Sequence, residues 1–227
     1  MDLLEFARGP ALAVALTVFV LGTSWRLARV LMQPRMPDLS TARPGMPAQW
    51  VSALQGVARG MRPRRDFSGA SWFAAANGYV FHVGLALVFF GYAPHIAFLR
   101  RLGLVSWPAL PDTVMYLAAG ATMVSLLMAL FIRLTSPVHR LISRPDDTIT
   151  WIVTFLPIVT GMAVTAEPSA QVLARDHVLY AGPLAVHLLA LELLLVWFPF
   201  GKLMHAFLFA FSRGATSLRF NRRGVRA

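Results

Sequence analysis

Five stretches of the sequence are almost continuously apolar, and links rich in proline, arginine or acidic residues separate them. A helix needs about 20 mainly apolar residues to cross a bilayer. We therefore predict five membrane-spanning helices, at residues 10–32, 71–99, 114–134, 149–165 and 178–211. The fifth is longer than a bilayer requires, so we expect it to tilt or to project beyond the membrane.

The longest link, residues 33–70, contains one amphipathic stretch, QWVSALQGVARGM, which predicts a short helix on the membrane surface. Asp2 and Glu5 precede the first apolar run, and no small-residue cleavage site follows it. We therefore expect the run to remain as a helix and not to be removed as a signal peptide. Because no internal repeat is evident, residues 1–227 are predicted to form a single membrane domain.

Composition agrees with a membrane protein. Hydrophobic residues make up 57% of the chain and charged residues 14%, whereas soluble domains carry about 25% charge. The absence of cysteine excludes disulfides, cysteine-ligated iron–sulfur clusters and thiolate zinc sites within this chain. Basic loops beside a membrane explain the net charge of +11 better than nucleic-acid binding does. We therefore expect an all-α, integral membrane five-transmembrane-helix bundle that binds lipid and no nucleic acid.

The basic residues lie mainly on one side of the predicted spans. Seventeen of the 21 lysines and arginines fall in the first link, the third link, the C-terminal end or their flanks. Because lysine and arginine are retained on the cytoplasmic side of membrane proteins, this distribution predicts an outer N-terminus and a cytoplasmic C-terminus. The basic link 33–70 would then be cytoplasmic.

Four of the six histidines lie within predicted spans, His82 and His95 in the second and His187 and His205 in the fifth. An ionisable side chain at membrane depth is costly, so it indicates a function by default. The two spans run in opposite directions, which pairs His82 with His205 near the inner face and His95 with His187 near the outer face. The alternative is a neutral histidine bonded to a backbone carbonyl, which explains one such residue better than it explains two facing pairs.

Neutral imidazole is the commonest metal ligand among side chains, and two facing imidazoles can occupy both axial positions of one haem iron. We therefore predict two b-type haems, with His82 and His205 on the inner iron and His95 and His187 on the outer iron. On a regular helix, eighteen residues make five turns at about 100° per residue, so His187 and His205 would share one face.

The second span is less regular in this respect. Thirteen residues place His82 and His95 about 140° apart on an unbroken helix. A kink at Pro94, which cannot donate a helical hydrogen bond, would turn His95 toward the bundle. Otherwise Tyr92, His177 or another group fills that position.

Several of these segments resemble the respiratory nitrate reductase gamma subunit family, whose members are five-span, di-haem cytochromes b. HLLALELLLVWFPFGKLMHAF, at residues 187–207, resembles the last span of that family in its histidine spacing and its FPF-x-[KR]-L-x-H ending. FHVGLALVFFG, at residues 81–91, resembles the second span, and FVLGTSWR resembles the first. SRPDDTITWIVTFLPIVTG resembles the start of span four in the wider gamma-like group.

The resemblance implies that His82, His187 and His205 ligate haem in a bacterial or archaeal cytoplasmic membrane. It also implies that an iron–sulfur subunit docks on the cytoplasmic face and that quinol reacts near the outer haem. In the nitrate reductase pattern the second histidine of span two stands ten residues after the first, where this chain has Tyr92. The histidine at thirteen, His95, is more similar to gamma-like cytochromes of other complexes, such as heterodisulfide-reductase-like or sulfite-reduction-associated membrane modules.

We therefore expect a membrane-anchoring cytochrome b subunit that exchanges electrons between the quinone pool and a cytoplasmic iron–sulfur partner. The chain has no iron–sulfur, molybdenum or nucleotide motif, so any terminal catalysis would belong to another subunit. The alternative class is a haem-free membrane anchor or transporter whose buried histidines relay protons. Glu192 is expected to carry protons or to bond to a neighbouring helix, and Lys202 to extend to the inner interface. Candidates for the outer haem propionates or the quinone mouth are Arg100, Arg175 and His177.

Overall fold

A computed structural model of the protein describes residues 1–34, 39, 41, 43–45, 47–62, 69–164 and 181–224. Every regular element in these ranges is helical, which confirms the all-α prediction for the described part of the chain. In chain order the helices are α1 (Leu3–Leu31), α2 (Gln49–Gly60), α3 (Gly69–Gly91), α4 (Ala93–Arg101), α5 (Asp112–Thr135), α6 (Pro137–Ile142), α7 (Pro145–Val164), α8 (Ala181–Trp197) and α9 (His205–Arg222). A 3₁₀ turn, Lys202–Met204, joins α8 to α9.

Four of these helices are long and apolar enough to cross a membrane, and a fifth qualifies if α8 and the helix after it form one bent span. The four are α1, the Trp72–Gly91 part of α3, α5 and α7. At most 33% of the most apolar window of each is buried inside the protein. Large apolar side chains such as Leu117 and Val124 are therefore exposed. This pattern is compatible with a multi-pass membrane protein.

The long apolar helices pack as a row of neighbours. Helix α5 packs along α3 and α7, and α8 packs along α7 and α1. Asn77 of α3 donates to the backbone oxygen of Ser125 at 3.0 Å, and the Ser125 hydroxyl donates to that of Asn77 at 2.8 Å. The Trp197 indole of α8 donates to the Thr150 hydroxyl of α7 at 2.9 Å. Such bonds between helices fix their register in apolar surroundings.

The second predicted span is two helices. Helix α3 ends at Gly91, Tyr92 is extended with φ −79° and ψ 127°, and α4 begins at Ala93 with Pro94 in its first turn. Proline is tolerated in a first helical turn, where its missing N–H has no partner to lose. The expected kink beside Pro94 is therefore a complete break, one residue before α4.

The predicted regular helix over residues 178–211 is wrong in its middle. Helix α8 ends at Trp197, residues 198–201 form a turn, and the next helical segment is bent by 76° from α8. Pro199 cannot donate to a helical carbonyl, which favours a break here. Pro199 is buried against Gly22 of α1, where an added Cβ would lie 2.7 Å from the proline ring. His187 and His205 are thus on different helices and do not share one helical face.

The amphipathic stretch in the first link is helical, as predicted, and it packs on α9. The contact is close because both helices present small residues to each other. An added Cβ on Gly56 would lie 2.2 Å from the Ser217 Cβ, and the Ser217 hydroxyl donates to the Ser52 carbonyl at 2.8 Å. Helices α2 and α9 therefore form a closely packed pair, and α9 begins after the bend at residues 198–201.

Candidate functional site

His95 and His187 lie side by side between α4 and α8. Their ring centroids are 6.2 Å apart and their planes are nearly parallel, at 15°. Both side chains are half-buried. The break at Tyr92 makes this contact possible, because His95 belongs to a helix that no longer follows the axis of α3. The two outer histidines predicted as a pair are thus neighbours in the structure.

His82 and His205 are the second pair. Their ring centroids are 6.0 Å apart and their planes are almost perpendicular, at 86°. His82 lies in the regular part of α3, whereas His205 is the first residue of α9. Both side chains are exposed from the protein surface. The structure therefore brings all four of the predicted histidines together in the two combinations expected from the sequence, and their role as ligands stays a prediction.

Each of the four imidazoles has its Nδ1 atom engaged. In three of them the partner is a backbone carbonyl: Gly78 for His82 at 2.7 Å, Val88 for His95 at 3.0 Å and Lys202 for His205 at 2.8 Å. A carbonyl oxygen can only accept, so Nδ1 must carry the proton in these rings. The lone pair of each neutral ring is then on Nε2.

His187 reaches the same tautomer through a threonine. Its Nδ1 lies 3.2 Å from the Thr160 hydroxyl of α7, and that hydroxyl donates to the Leu156 carbonyl at 2.6 Å. Because the threonine proton is already donated, its oxygen accepts from His187. The neighbouring Gly161 makes room for the ring, since an added Cβ there would lie 3.1 Å from its Cε1 atom.

Helices α3 and α8 are not close-packed along their lengths in the described part of the chain, since each packs along other neighbours. His95 of α4 pairs with His187 of α8, whereas His82 of α3 pairs with His205 at the start of α9. Within the described ranges no three histidine, cysteine, aspartate or glutamate side chains are grouped as a metal site. Among the residues that the structure describes, each pair therefore offers two ligands and no third.

The other residues considered as partners of His187 or as binding groups near the outer pair lie in different places. The Tyr92 ring packs edge-on against His95, with centroids 5.2 Å apart. It is thus a neighbour of the His95–His187 pair. His177 and Arg175 lie outside the described residues. Arg100 lines a cleft of about 250 Å³ beside α4, together with Ala93, Ile96, Ala97, Ser106, Trp107 and Ala109.

Glu192 is buried in α8, with 5% of its surface exposed. Its Oε1 atom has no hydrogen-bond partner among the described residues. The expected hydrogen bond from this carboxyl to a neighbouring helix is therefore not observed at Oε1 among the described residues.

Lys202 does not simply extend to an interface. Its ammonium group contacts the Asp147 carboxylate and lies 3.5 Å from that of Asp146. Asp147 also pairs with Arg133 of α5 at 3.2 Å. The sequence reasoning missed Asp147, Thr160 and Gly161. The sequence did contain a signal for Asp147. Two adjacent acids begin the fourth apolar stretch, and carboxylates beside apolar residues are expected to pair with a cation. Lys202, in the motif that ends in His205, is such a cation.

No family model matches the sequence. The chain is 31% identical over 225 aligned residues to a protein of Nitratidesulfovibrio vulgaris strain Hildenborough, and the alignment covers 92% of this chain and 89% of that one. This similarity indicates common descent, and the function is therefore argued from the chemistry of the site. The chain belongs to the same family as this Nitratidesulfovibrio vulgaris protein.

Proposed function

We propose that this chain is the membrane-anchoring di-haem cytochrome b subunit of a respiratory oxidoreductase complex. It would pass electrons between the quinone pool and a soluble iron–sulfur partner. The observation that carries the proposal is the presence of two facing imidazole pairs, with ring centroids 6.0 and 6.2 Å apart. The resemblance to the nitrate reductase gamma subunit family provides independent support.

The spacing of the rings agrees with one iron between each pair. An imidazole nitrogen binds a transition metal at about 2.0 Å, and the ring centre lies about 1.1 Å behind it, so two axial imidazoles place their centres about 6.2 Å apart.

The hydrogen bonds of the four rings have the form expected of ligands. A metal-binding histidine usually donates its second ring N–H to a carbonyl, carboxylate or water, which fixes its tautomer and orientation. All four histidines have such a partner at Nδ1. Each Nε2 lone pair is therefore available for a metal.

Two protein ligands per site favour haem over a bare metal ion. A structural or catalytic metal held by the chain alone needs three or four side chains. A bound haem would supply the remaining ligands of its iron and a reversible one-electron centre. His82 and His205 would hold one iron, and His95 and His187 the other. The surrounding helices would exclude water and set the ring orientations.

The membrane placement follows from the helices and the charges. Five spans, with α8 and its bent continuation counted as one, and the bias of the basic residues give an outer N-terminus. The His95–His187 pair would then lie toward the outer face. The cleft beside α4 is on that side, and Arg100 and Ser106 offer donors for the two carbonyl oxygens of a quinone ring.

The opposite side fits a soluble partner. Helices α2 and α9 contain no aspartate or glutamate, and their charged side chains are all arginines. A basic layer of this kind attracts an acidic face on a partner subunit. An iron–sulfur protein docked there would exchange electrons with the His82–His205 haem.

The test is spectroscopic. The purified full-length protein from a haem-replete host should contain two b haems per chain and show b-type bands in a reduced-minus-oxidised spectrum. His139→Ala is a suitable control, because His139 is exposed and bonds to Ser136 outside both pairs. This variant should retain both haems. A colourless wild-type protein would refute the proposal.

A haem-free proton transporter is the second candidate. The observation that favours it is the buried Glu192, whose Oε1 atom has no hydrogen-bond partner among the described residues. The two functions predict different phenotypes for Glu192→Gln. In the cytochrome, both haems and their spectra should persist in this variant. In the transporter, proton flux into liposomes that contain the protein should be lost without any change in absorbance.

A further inference from the structure

The turn that carries His205 is tied to two other helices through one carboxylate. The Asp147 side chain lies in the first turn of α7 and is 10% exposed. It pairs with Arg133 of α5 at 3.2 Å, contacts the Lys202 ammonium, and accepts from the Arg144 backbone N–H at 3.0 Å. One group therefore joins α5, α7 and the turn before α9.

Lys202 connects this carboxylate to the histidine. Its side chain pairs with Asp147, and its carbonyl oxygen accepts from His205 Nδ1 at 2.8 Å. Lys202 begins the 3₁₀ turn, whose preceding residue Gly201 is extended, with φ −93° and ψ −172°. The backbone of this turn therefore determines the direction of the Lys202 carbonyl. The ion pair with Asp147 attaches Lys202 to α7.

His82 does not depend on such an anchor. Its Nδ1 partner is the Gly78 carbonyl, one turn earlier in the regular helix α3. The perpendicular arrangement of the two rings, at 86°, therefore depends on the placement of His205 more than on that of His82. A contact that holds the Lys202 turn would hold this angle.

We propose that Asp147 is a positioning residue for His205, which acts through the Lys202 ion pair and the Lys202 carbonyl. This inference rests on the proposed function, because the quantity it sets is the geometry of the His82–His205 haem site. Residues that orient a metal-binding histidine from behind affect affinity about 10–100-fold when they are removed. His187 bonds to Thr160, thirteen residues after Asp147 in α7, so the His95–His187 site should be unaffected.

The experiment compares Asp147→Asn and Lys202→Met with Lys202→Arg in the purified full-length protein. Asp146→Asn is the matched control, because Asp146 is the more exposed partner, at 40%, and lies 3.5 Å from Lys202. Three quantities are measured: the low-spin EPR signals, the midpoint potential of each haem, and the rate of haem transfer to apomyoglobin.

In Asp147→Asn and Lys202→Met, one of the two EPR signals and one midpoint potential should shift, and one haem should be lost roughly 10-fold faster. Lys202→Arg and Asp146→Asn should resemble the wild type. Unchanged signals in both variants that break the ion pair, with two haems retained, would overturn the inference. Equal shifts at both haems would also overturn it, since they indicate a general loss of structure.

A wild-type protein without haem would instead refute the proposed function itself. If Asp147→Asn does not fold, the contrast between Lys202→Met and Lys202→Arg decides.

Discussion

The two histidine pairs have nearly the same ring separation, 6.0 and 6.2 Å, but differ in almost every other respect. The rings of His95 and His187 are stacked at 15° and half-buried between helices. Those of His82 and His205 are perpendicular, at 86°, and exposed. The separation is therefore the shared property of the two sites, whereas orientation and burial distinguish them.

A common construction underlies both pairs. In each, one histidine lies in a regular helix and the other follows a helix break with a proline within it or in the first turn after it. His95 follows the break at Tyr92, and His205 follows the turn with Pro199. Because a break releases the chain from the 100° step of the helix, it can aim a ring that a regular helix would misplace.

Loss of one histidine should have the largest effect. His187→Ala and His82→Ala should each reduce the content from two haems per chain to one, because one remaining imidazole seldom retains a b haem. The double variant should contain none. The pyridine haemochrome assay against protein concentration measures the content, and His139→Ala is the control.

EPR should identify which haem is lost. Parallel imidazole planes separate the energies of two iron d orbitals, whereas perpendicular planes leave them nearly equal and make the signal more anisotropic. The more anisotropic signal should therefore disappear in His82→Ala, and the other in His187→Ala. If both variants lost the same signal, the assignment of the pairs would be wrong.

Gly161→Leu should disturb only the stacked pair. An added Cβ at this position lies 3.1 Å from the His187 ring, so a leucine side chain would displace the imidazole. We expect most of that haem to be lost and the His82–His205 haem to be retained. Gly120→Leu is the matched control, because no atom lies within 4 Å of an added Cβ there. Equal haem contents in the two variants would contradict the role given to Gly161.

Thr160→Val should have a smaller effect on the same site. It removes the acceptor for His187 Nδ1 but leaves the volume nearly unchanged. Haem affinity at this pair should fall about 10–100-fold, measured by transfer to apomyoglobin. Thr160→Ser should resemble the wild type. Thr154→Val removes a hydroxyl that bonds only to the Thr150 carbonyl, so it should have no effect on either haem.

Hydropathy located the long apolar helices whose starts are described. Helices α3, α5 and α7 begin two to four residues before their predicted starts, and α1 begins seven residues before its own. The antiparallel argument also selected the correct neighbours among the four histidines. The reason given for the face shared by His187 and His205 was wrong, because the helix between them is broken. A single proline and glycine in an apolar run, such as Pro199 and Gly201, leave open whether a helix kinks or stops.

The contacts of Thr160 and Gly161 with His187 could not be predicted from the sequence, for a different reason. Thr160 and Gly161 act on His187 across a helix interface, 26 or more positions away in the chain. Their importance depends on the register of α7 against α8, which the Trp197–Thr150 bond helps to fix. An apolar pattern gives the length of two helices but not their register, so only the packed structure identifies these residues.

Asn77→Ala should give the smallest effect and should not distinguish the pairs. Asn77 and Ser125 exchange two hydrogen bonds that hold α3 against α5, and Asn77 directly precedes Gly78, the Nδ1 partner of His82. Bonds between membrane helices contribute about 0.6 kcal/mol on average and at most about 1.7 kcal/mol. Unfolding in detergent should therefore occur slightly earlier, while the haem content stays at two and both EPR signals are unchanged. Selective loss of the His82–His205 signal would instead show that this site depends on the packing of α3 as well as on the turn that carries His205.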